Sequence, residues 1–173
     1  MNEPPAGLII RAEQPDDDDA VRRLLTAAFD GPAEARLVDD LRADGDALVS
    51  LVAEIDGAVV GHILFSPLPI RSAHRVSQAA ALAPLAVAPA HQGKGVGSRL
   101  ARDGIDACRR LGLDGVVVLG APAYYGRFGF SAEAAKDVGA PYAGGPAFMA
   151  LALRPDVTLA GEARYARAFA ALG

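Results

Sequence analysis

A glycine-rich turn between an apolar run and a helix-like stretch is the feature that most constrains this chain. The apolar run ends near Val87, and three alternating glycines follow it: Gly93, Gly95 and Gly97. Apolar residues then recur at helical spacing as far as Leu111, and Gly112 is placed to end the helix. The pattern predicts a strand, a tight turn and a long helix.

Such a turn has the chemistry of an anion site. The first N–H groups of a helix have no intrahelical acceptor, and the helix dipole adds partial positive charge there. Glycines let the backbone approach a phosphate without a Cβ in the way. Since Lys94 and Arg99 add charge nearby, the segment suits a pyrophosphate or another polyphosphate.

Two common nucleotide motifs fail on spacing. A Walker-type loop requires Ser or Thr after its lysine, but Gly95 follows Lys94. A dinucleotide fingerprint requires a third glycine where this chain has Ser98 or Leu100, and an acidic residue where residues 119–120 are Leu-Gly. A turn that is rich in glycine only because it is tight remains the structural alternative.

The rest of the chain indicates a mixed α/β (α+β) fold, because helices and strands occur without regular alternation. We predict strands at residues 8–12, 48–55, 58–65, 79–87, 115–119 and 148–153, and helices near 16–29, 33–44, 96–111 and 122–128. The Asp56-Gly57 pair predicts a tight hairpin. Pro67 and Pro69 are expected to end a strand, and Pro84 should make its strand bulge or separate from a neighbour.

Composition excludes several classes of protein. The net charge is −4 and no Lys/Arg cluster forms a basic face, so no nucleic-acid partner is expected. The run Asp16–Asp19 is interpreted as a solvated helix N-terminus, and the three histidines lack metal-ligand spacing, so no metal site is predicted.

The remaining expectations concern organisation and compartment. We predict a single domain over residues 1–173. The lone Cys108 permits no intrachain disulfide and fits a small core residue in a reducing, cytoplasmic setting. No signal peptide is read at the N-terminus, and no apolar run is long enough to suggest a membrane partner.

Two motifs together resemble the GCN5-related N-acetyltransferases (GNAT), and in particular a bacterial YhbS-like subgroup. Residues 92–97, Gln-Gly-Lys-Gly-Val-Gly, resemble the family's Q/R-x-x-G-x-G/A pyrophosphate loop. Residues 125–130, Tyr-Gly-Arg-Phe-Gly-Phe, resemble its Y-x-x-x-G-F element, and residues 85–89 look like its fourth strand. Their order and spacing match, and the resemblance covers most of the chain.

The resemblance implies a largely antiparallel sheet of six to seven strands, flanked by about four helices, in which the central strands splay apart. Acetyl-CoA is then the acyl donor, without a metal, and its pantetheine pairs with the fourth strand. Leu85, Ala86 and Val87 would face the thioester arm, and Arg127 is placed to touch a CoA phosphate or else is solvated. The expected pyrophosphate-binding residues are Gln92, Gly93, Lys94, Gly95, Val96, Gly97 and Ser98.

The resemblance also assigns catalytic roles. Tyr125 stands where the family's general acid protonates the CoA thiolate, with Tyr124 as second candidate; the alternative is that either ring only packs. The fourth strand carries no acidic residue and the customary Asn before the tyrosine is missing, so Glu54 and His62 are the candidate bases. An amine that arrives neutral needs no base.

The implied activity is acetyl transfer from acetyl-CoA to a primary amine, which attacks the thioester directly. The acceptor is a small molecule or a protein amine, with a homodimer left open. Two alternatives remain: an acyl-CoA sensor without turnover, and transfer of a longer acyl chain or to a hydroxyl.

Overall fold

The computed structural model describes residues 3–172. Its α-helices are α1 (Asp18–Phe29), α2 (Ala33–Ala43), α3 (Val96–Arg110) and α4 (Pro122–Tyr125). Its strands are β1 (Ile9–Ala12), β2 (Val49–Ile55), β3 (Ala58–Arg71), β4 (Val76–Val87), β5 (Gly115–Leu119), β6 (Val138–Gly139), β7 (Phe148–Ala152) and β8 (Gly161–Ala163). This mixed architecture confirms the predicted fold class.

The strands form one eight-stranded sheet in the order β1-β2-β3-β4-β5-β7, with β8 beside β3 and β6 beside β8. The pairings β1/β2, β2/β3, β3/β8 and β5/β7 are antiparallel, whereas β4/β5 and β6/β8 are parallel. The sheet exceeds the expected six to seven strands because β6 and β8 have only two and three residues. Strands that short are too brief to show an alternating pattern.

The described residues form two compact units. The first comprises residues 3–65, 83–104 and 167–172, and the second comprises residues 66–82 and 105–166. β3, β4 and α3 contribute residues to both. The expectation of one domain over residues 1–173 stays a prediction, and residues 1, 2 and 173 lie outside the described part.

In the first unit, the β2–β3 hairpin follows the sequence prediction. Asp56 and Gly57 join the strands with φ values of 51° and 82°, the positive values that a tight two-residue hairpin requires. Helices α1 and α2 bury one apolar face each, as their spacing predicts. The buried residues are Val21, Leu24, Leu25, Ala35, Leu37, Val38 and Leu41.

In the second unit, β5 lies between two partners. Residues 79–81 of β4 pair with residues 115–117 of β5 in parallel, and β7 pairs with all of β5 in antiparallel register. Val116, Val117 and Val118 are at most 2% exposed, which explains why β5 reads as an uninterrupted apolar run.

The two prolines of β3 correct the sequence prediction, because the strand continues past Phe65 to Arg71. Pro67 and Pro69 are two residues apart, so their missing N–H groups fall on the same edge of the strand. The strand keeps other pairings: Ile70 is in register with Ala163 of β8, and the carbonyl of Pro69 accepts a hydrogen bond from the Arg164 N–H at 3.0 Å.

Candidate active site

The glycine-rich turn is held at both ends by hydrogen bonds within the first unit. The Ala88 N–H donates to the carbonyl of Val60 at 2.8 Å, which fixes the end of β4 against β3. The Gln92 side chain donates to the carbonyl of Val87 at 3.0 Å. Gln92 therefore braces the turn against the strand that precedes it.

The glycines permit backbone conformations that other residues rarely adopt. Gly93 and Gly95 have φ values of 75° and 84°, in the left-handed region where a Cβ meets the backbone. A Cβ built on Gly93 would find nothing within 4 Å. Gly93 is thus required for the backbone conformation of the turn, and the space beside the Gly93 backbone is open.

The start of α3 is anchored by its buried side chains. Val96 and Leu100 are 1% and 0% exposed, and they pack over Gly61, where an added Cβ would lie 2.8 Å from Leu100 Cδ1. The Arg99 N–H donates to the carbonyl of Gly95 at 3.1 Å. The backbone amides just before Arg99 therefore belong to the first turn of α3. The N–H groups of a first turn point out of the N-terminal end of the helix.

The positive side chains near this turn differ in their surroundings. Lys94 is exposed, whereas Arg99 forms an ion pair with Asp103 at 3.4 Å one helical turn later. Exposed pairs of this kind contribute little energy, so the arginine charge is only weakly engaged. The turn combines backbone donors with two cations, the arrangement that suits a diphosphate.

Tyr124, Tyr125 and Arg127 lie together in the second unit. The ring centroids of Tyr124 and Tyr125 are 5.0 Å apart, and those of Tyr124 and Phe128 are 5.4 Å apart, both edge-to-face. The Arg127 guanidinium carbon lies 4.6 Å above the Tyr124 ring, and Arg127 Nε donates to the Tyr124 carbonyl at 3.2 Å. Arg127 is therefore stacked on the aromatic cluster.

The environment of Tyr125 keeps its hydroxyl protonated. Burial, with a smaller contribution from the neighbouring Tyr124, raises the pKa of Tyr125 to about 12. Loss of the phenolic proton would place a charge in poorly solvated surroundings. Tyr125 is thus a proton donor at neutral pH, the state that a general acid needs.

The two candidate bases lie in different surroundings. Glu54 retains 19% side-chain exposure and forms an ion pair with Arg11 at 3.5 Å. His62 is 0% exposed. Its Nε2 contacts the Ser50 hydroxyl at 3.0 Å and Glu13 Oε1 at 3.3 Å.

Glu13 is a charged group that no motif or spacing in the sequence singles out. Its carboxylate is 8% exposed and accepts hydrogen bonds from Arg42 and Ser50 besides its contact with His62. Burial alone would raise the pKa of Glu13, but the hydrogen bonds from His62 and Arg42 outweigh it and lower the pKa to about 2. The contact between Glu13 and His62 joins residues 49 positions apart, so local sequence spacing does not reveal it.

Two other sequence expectations have direct counterparts. Cys108 is 0% exposed, and burial raises the pKa of its thiol to about 12, so it is a core residue and not a thiolate. The acidic run is only partly solvated, because Asp17 is 8% exposed and accepts two hydrogen bonds from Arg11. Within residues 3–172, no group of three or more His, Cys, Asp or Glu side chains is arranged to hold a metal ion.

The turn with its backbone donors lies within the first unit, and the tyrosine-bearing segment lies within the second. Comparison with known families shows the class to which this architecture belongs. The family model described as acetyltransferase (GNAT) family matches residues 19–130. The chain therefore belongs to the GNAT family of acetyltransferases.

Individual relatives agree with this classification. The uncharacterized N-acetyltransferase YhbS of Escherichia coli K12 is 40% identical over 132 residues, which cover 76% of this chain and 78% of YhbS. The crystal structure of E. coli YhbS in complex with CoA superposes with a TM-score of 0.89 at 36% identity, covering 100% of this chain and 97% of the other. A GNAT acetyltransferase from Brucella melitensis, crystallised with acetyl-CoA, has a TM-score of 0.79 at 38% identity and covers 94% and 97% of the two chains.

No helix in the described part of the chain combines the length and the apolar character required to cross a membrane.

Proposed function

We propose that this protein transfers an acetyl group from acetyl-CoA to a primary amine, which attacks the thioester directly. The observation that carries the proposal is the turn at residues 92–97, where Gly93 and Gly95 adopt positive φ at the start of a helix fixed by buried Val96 and Leu100. The relatives crystallised with CoA and acetyl-CoA support the same ligand here.

The backbone and side chains of the turn bind the diphosphate of CoA in this proposal. The amides from Gly93 to Ser98 donate to the phosphate oxygens, and Lys94 adds a cation. Gln92, whose side chain already donates to the Val87 carbonyl, keeps the turn in register with the end of β4. Leu85, Ala86 and Val87 then present the backbone that pairs with pantetheine, and an amide near Val87 polarises the thioester carbonyl.

Tyr125 acts as the general acid that protonates the departing CoA thiolate. Its protonated state at neutral pH supports this role. The burial that raises the pKa of Tyr125 also penalises a thiolate released beside it, so the proton transfer is less unfavourable than the pKa of an exposed thiol suggests. Tyr124 and Arg127 are proposed to complete this end of the site, Tyr124 as the alternative acid and Arg127 as a CoA phosphate contact.

Glu54 and His62 are the proposed general bases, and their accessibility ranks them. Glu54 keeps 19% of its side chain exposed, whereas His62 is fully buried with its Nε2 against Ser50 and Glu13. A base must reach the proton that it abstracts, directly or through one water. We therefore rank Glu54 first.

The test is an assay of thiol release from acetyl-CoA with a panel of primary alkylamines and short peptides, with product masses measured. We expect turnover on at least one amine, and Tyr125→Phe should lower kcat by about 100-fold with KM for acetyl-CoA within about twofold. Tyr165→Phe is the matched control, because burial raises the pKa of that tyrosine to about 12 as well, outside the proposed site. In the same assay, Glu54→Gln should lower kcat more than His62→Gln does.

Three outcomes would replace this proposal. Binding of acetyl-CoA without turnover on any amine indicates a sensor. Turnover only with longer acyl chains or with hydroxyl acceptors indicates the other alternative. Equal loss of activity in Tyr125→Phe and Tyr165→Phe removes the acid role of Tyr125.

A further inference from the structure

Gly120, which links β5 to α4, stands directly against the ring of Tyr125. A Cβ built on Gly120 would lie 2.5 Å from Cε2 and 2.9 Å from Cδ2 of that ring, distances that real Cβ atoms do not show. The φ of Gly120 is not among the positive values in the described chain. The glycine is therefore needed for space and not for its backbone conformation.

The backbone on both sides of this contact is held in place. The Gly120 N–H donates to the carbonyl of Ala147 at 3.0 Å, and the Tyr125 N–H donates to the carbonyl of Ala121 at 3.0 Å. Pro122, the first residue of α4, restricts φ at the turn between them. A side chain at position 120 would consequently displace the ring before it displaced the backbone.

The ring itself has little freedom to move away. Its centroid makes edge-to-face contacts with Tyr124 at 5.0 Å, Phe130 at 6.0 Å and Phe128 at 6.4 Å. Phe130 is 3% exposed and belongs to the core. Gly120 thus lies against a ring whose orientation three aromatic neighbours restrict.

We propose that Gly120 is a positioning residue, whose missing side chain lets the Tyr125 ring take the orientation in which its hydroxyl reaches the leaving thiolate. This inference rests on the proposed role of Tyr125 as general acid. A proton donor misplaced by about 1 Å loses much of its effect on the rate.

The test is Gly120→Ala, with Gly126→Ala as the matched control. Gly126 begins the turn after α4, has a φ of −57° and would accept a Cβ with nothing within 4 Å. We expect Gly120→Ala to lower kcat for thiol release by about tenfold or more, with KM for acetyl-CoA within about twofold. Gly126→Ala should leave both parameters near those of the wild type.

A double-mutant cycle separates positioning from general damage. If Gly120 acts through the Tyr125 hydroxyl, then adding Gly120→Ala to Tyr125→Phe should cost much less than adding it to the wild type. Equal costs in the two backgrounds overturn the inference while leaving the acid role intact. Activity unchanged in Tyr125→Phe itself overturns the acid role and the inference with it, whereas activity unchanged only in Gly120→Ala overturns the inference alone.

Stability measurements keep the test decisive if Gly120→Ala folds poorly. The steric argument predicts that Tyr125→Ala, which removes the ring, relieves the destabilisation caused by Gly120→Ala. The free energies of unfolding of the two single variants and the double variant, measured in urea, give this coupling directly. Additive losses would show that the added methyl does not act on the ring.

Discussion

At the scale of single residues, the buried carboxylate of Glu13 shows how burial and hydrogen bonding compete. Removal from water disfavours the charged form, yet donors from Arg42, Ser50 and His62 surround it and the pKa falls to about 2. The folded state thus binds fewer protons than the unfolded state between about pH 2 and the ordinary value of 4.5. The stabilisation is complete above the ordinary value and is lost as the pH falls through that interval.

We predict that Glu13→Gln lowers the free energy of unfolding by roughly 3 kcal/mol at pH 6, because the partly buried Arg42 loses its most buried counter-charge and keeps only the more exposed Asp39 and Asp18. Between pH 6 and pH 3 the difference from wild type should shrink by roughly 2 kcal/mol, since the wild type loses its linkage contribution. Urea unfolding at both pH values measures this. Glu133→Gln, at an exposed pair with Lys136, is the control, and a difference that stays constant with pH would falsify the account.

The Glu13 cluster also shows what the sequence could not provide. His62 is a candidate base because it lies on a strand that precedes the fourth strand, and its partner Glu13 follows a different strand, β1. Pairing of β1 with β2 and of β2 with β3 brings the two together. Periodicity predicted each of these strands, but it does not specify the partner of a side chain across two pairings.

At the scale of elements, two glycines allow α3 and β3 to pack closely against each other. Gly61 on β3 makes room for Val96 and Leu100, and Gly104 on α3 makes room for the buried ring of Phe65. Helix propensity does not predict such contacts, because it counts a glycine within a helix only as destabilising. The packing explains why a helix with two internal glycines is nevertheless a fixed platform for the turn before it.

We predict that Gly104→Ala destabilises the protein by about 1–3 kcal/mol, because its Cβ would overlap Phe65 Cε1 and lie 2.8 Å from Cζ. The same change at an exposed helical glycine gains about 1 kcal/mol, so the sign of the effect tests the packing. The measurement is chemical denaturation of the single variant and of Gly104→Ala combined with Phe65→Leu. A gain in stability, or a loss that Phe65→Leu does not reduce, contradicts the contact.

The elements that local rules predicted share one property. Each of them has a sequence pattern that is contained in a short, continuous stretch of the chain. These elements are the β2–β3 hairpin, α3 with its preceding turn, and β5. The continuation of β3 through Pro67 and Pro69, and the strands β6 and β8, depend instead on pairings with distant residues. Pairing with distant strands determines that these segments are extended, and patterns in a single sequence do not reveal such pairing.

At the scale of the whole molecule, the negative net charge of the chain does not favour the binding of acetyl-CoA, the ligand that we propose. The chain carries −4, and CoA is itself a polyanion, so long-range attraction does not draw the two together. In the function that we propose, binding comes instead from short-range donors, namely the backbone amides at the start of α3 and the cations beside them. Binding of the diphosphate is therefore expected to depend mainly on the glycine-rich turn.

The most direct test is calorimetric titration of acetyl-CoA into Gly93→Ala, with Gly57→Ala as the matched control. Both glycines have positive φ, 75° and 82°, and neither would meet an atom within 4 Å of an added Cβ, so both variants bear similar backbone strain of about 1 kcal/mol. We predict that both variants lose similar stability, but that only Gly93→Ala weakens acetyl-CoA binding, by about tenfold or more, because its methyl group intrudes where we propose that the diphosphate binds. Equal affinities in the two variants, or no heat of acetyl-CoA binding to the wild type, would contradict the central claim.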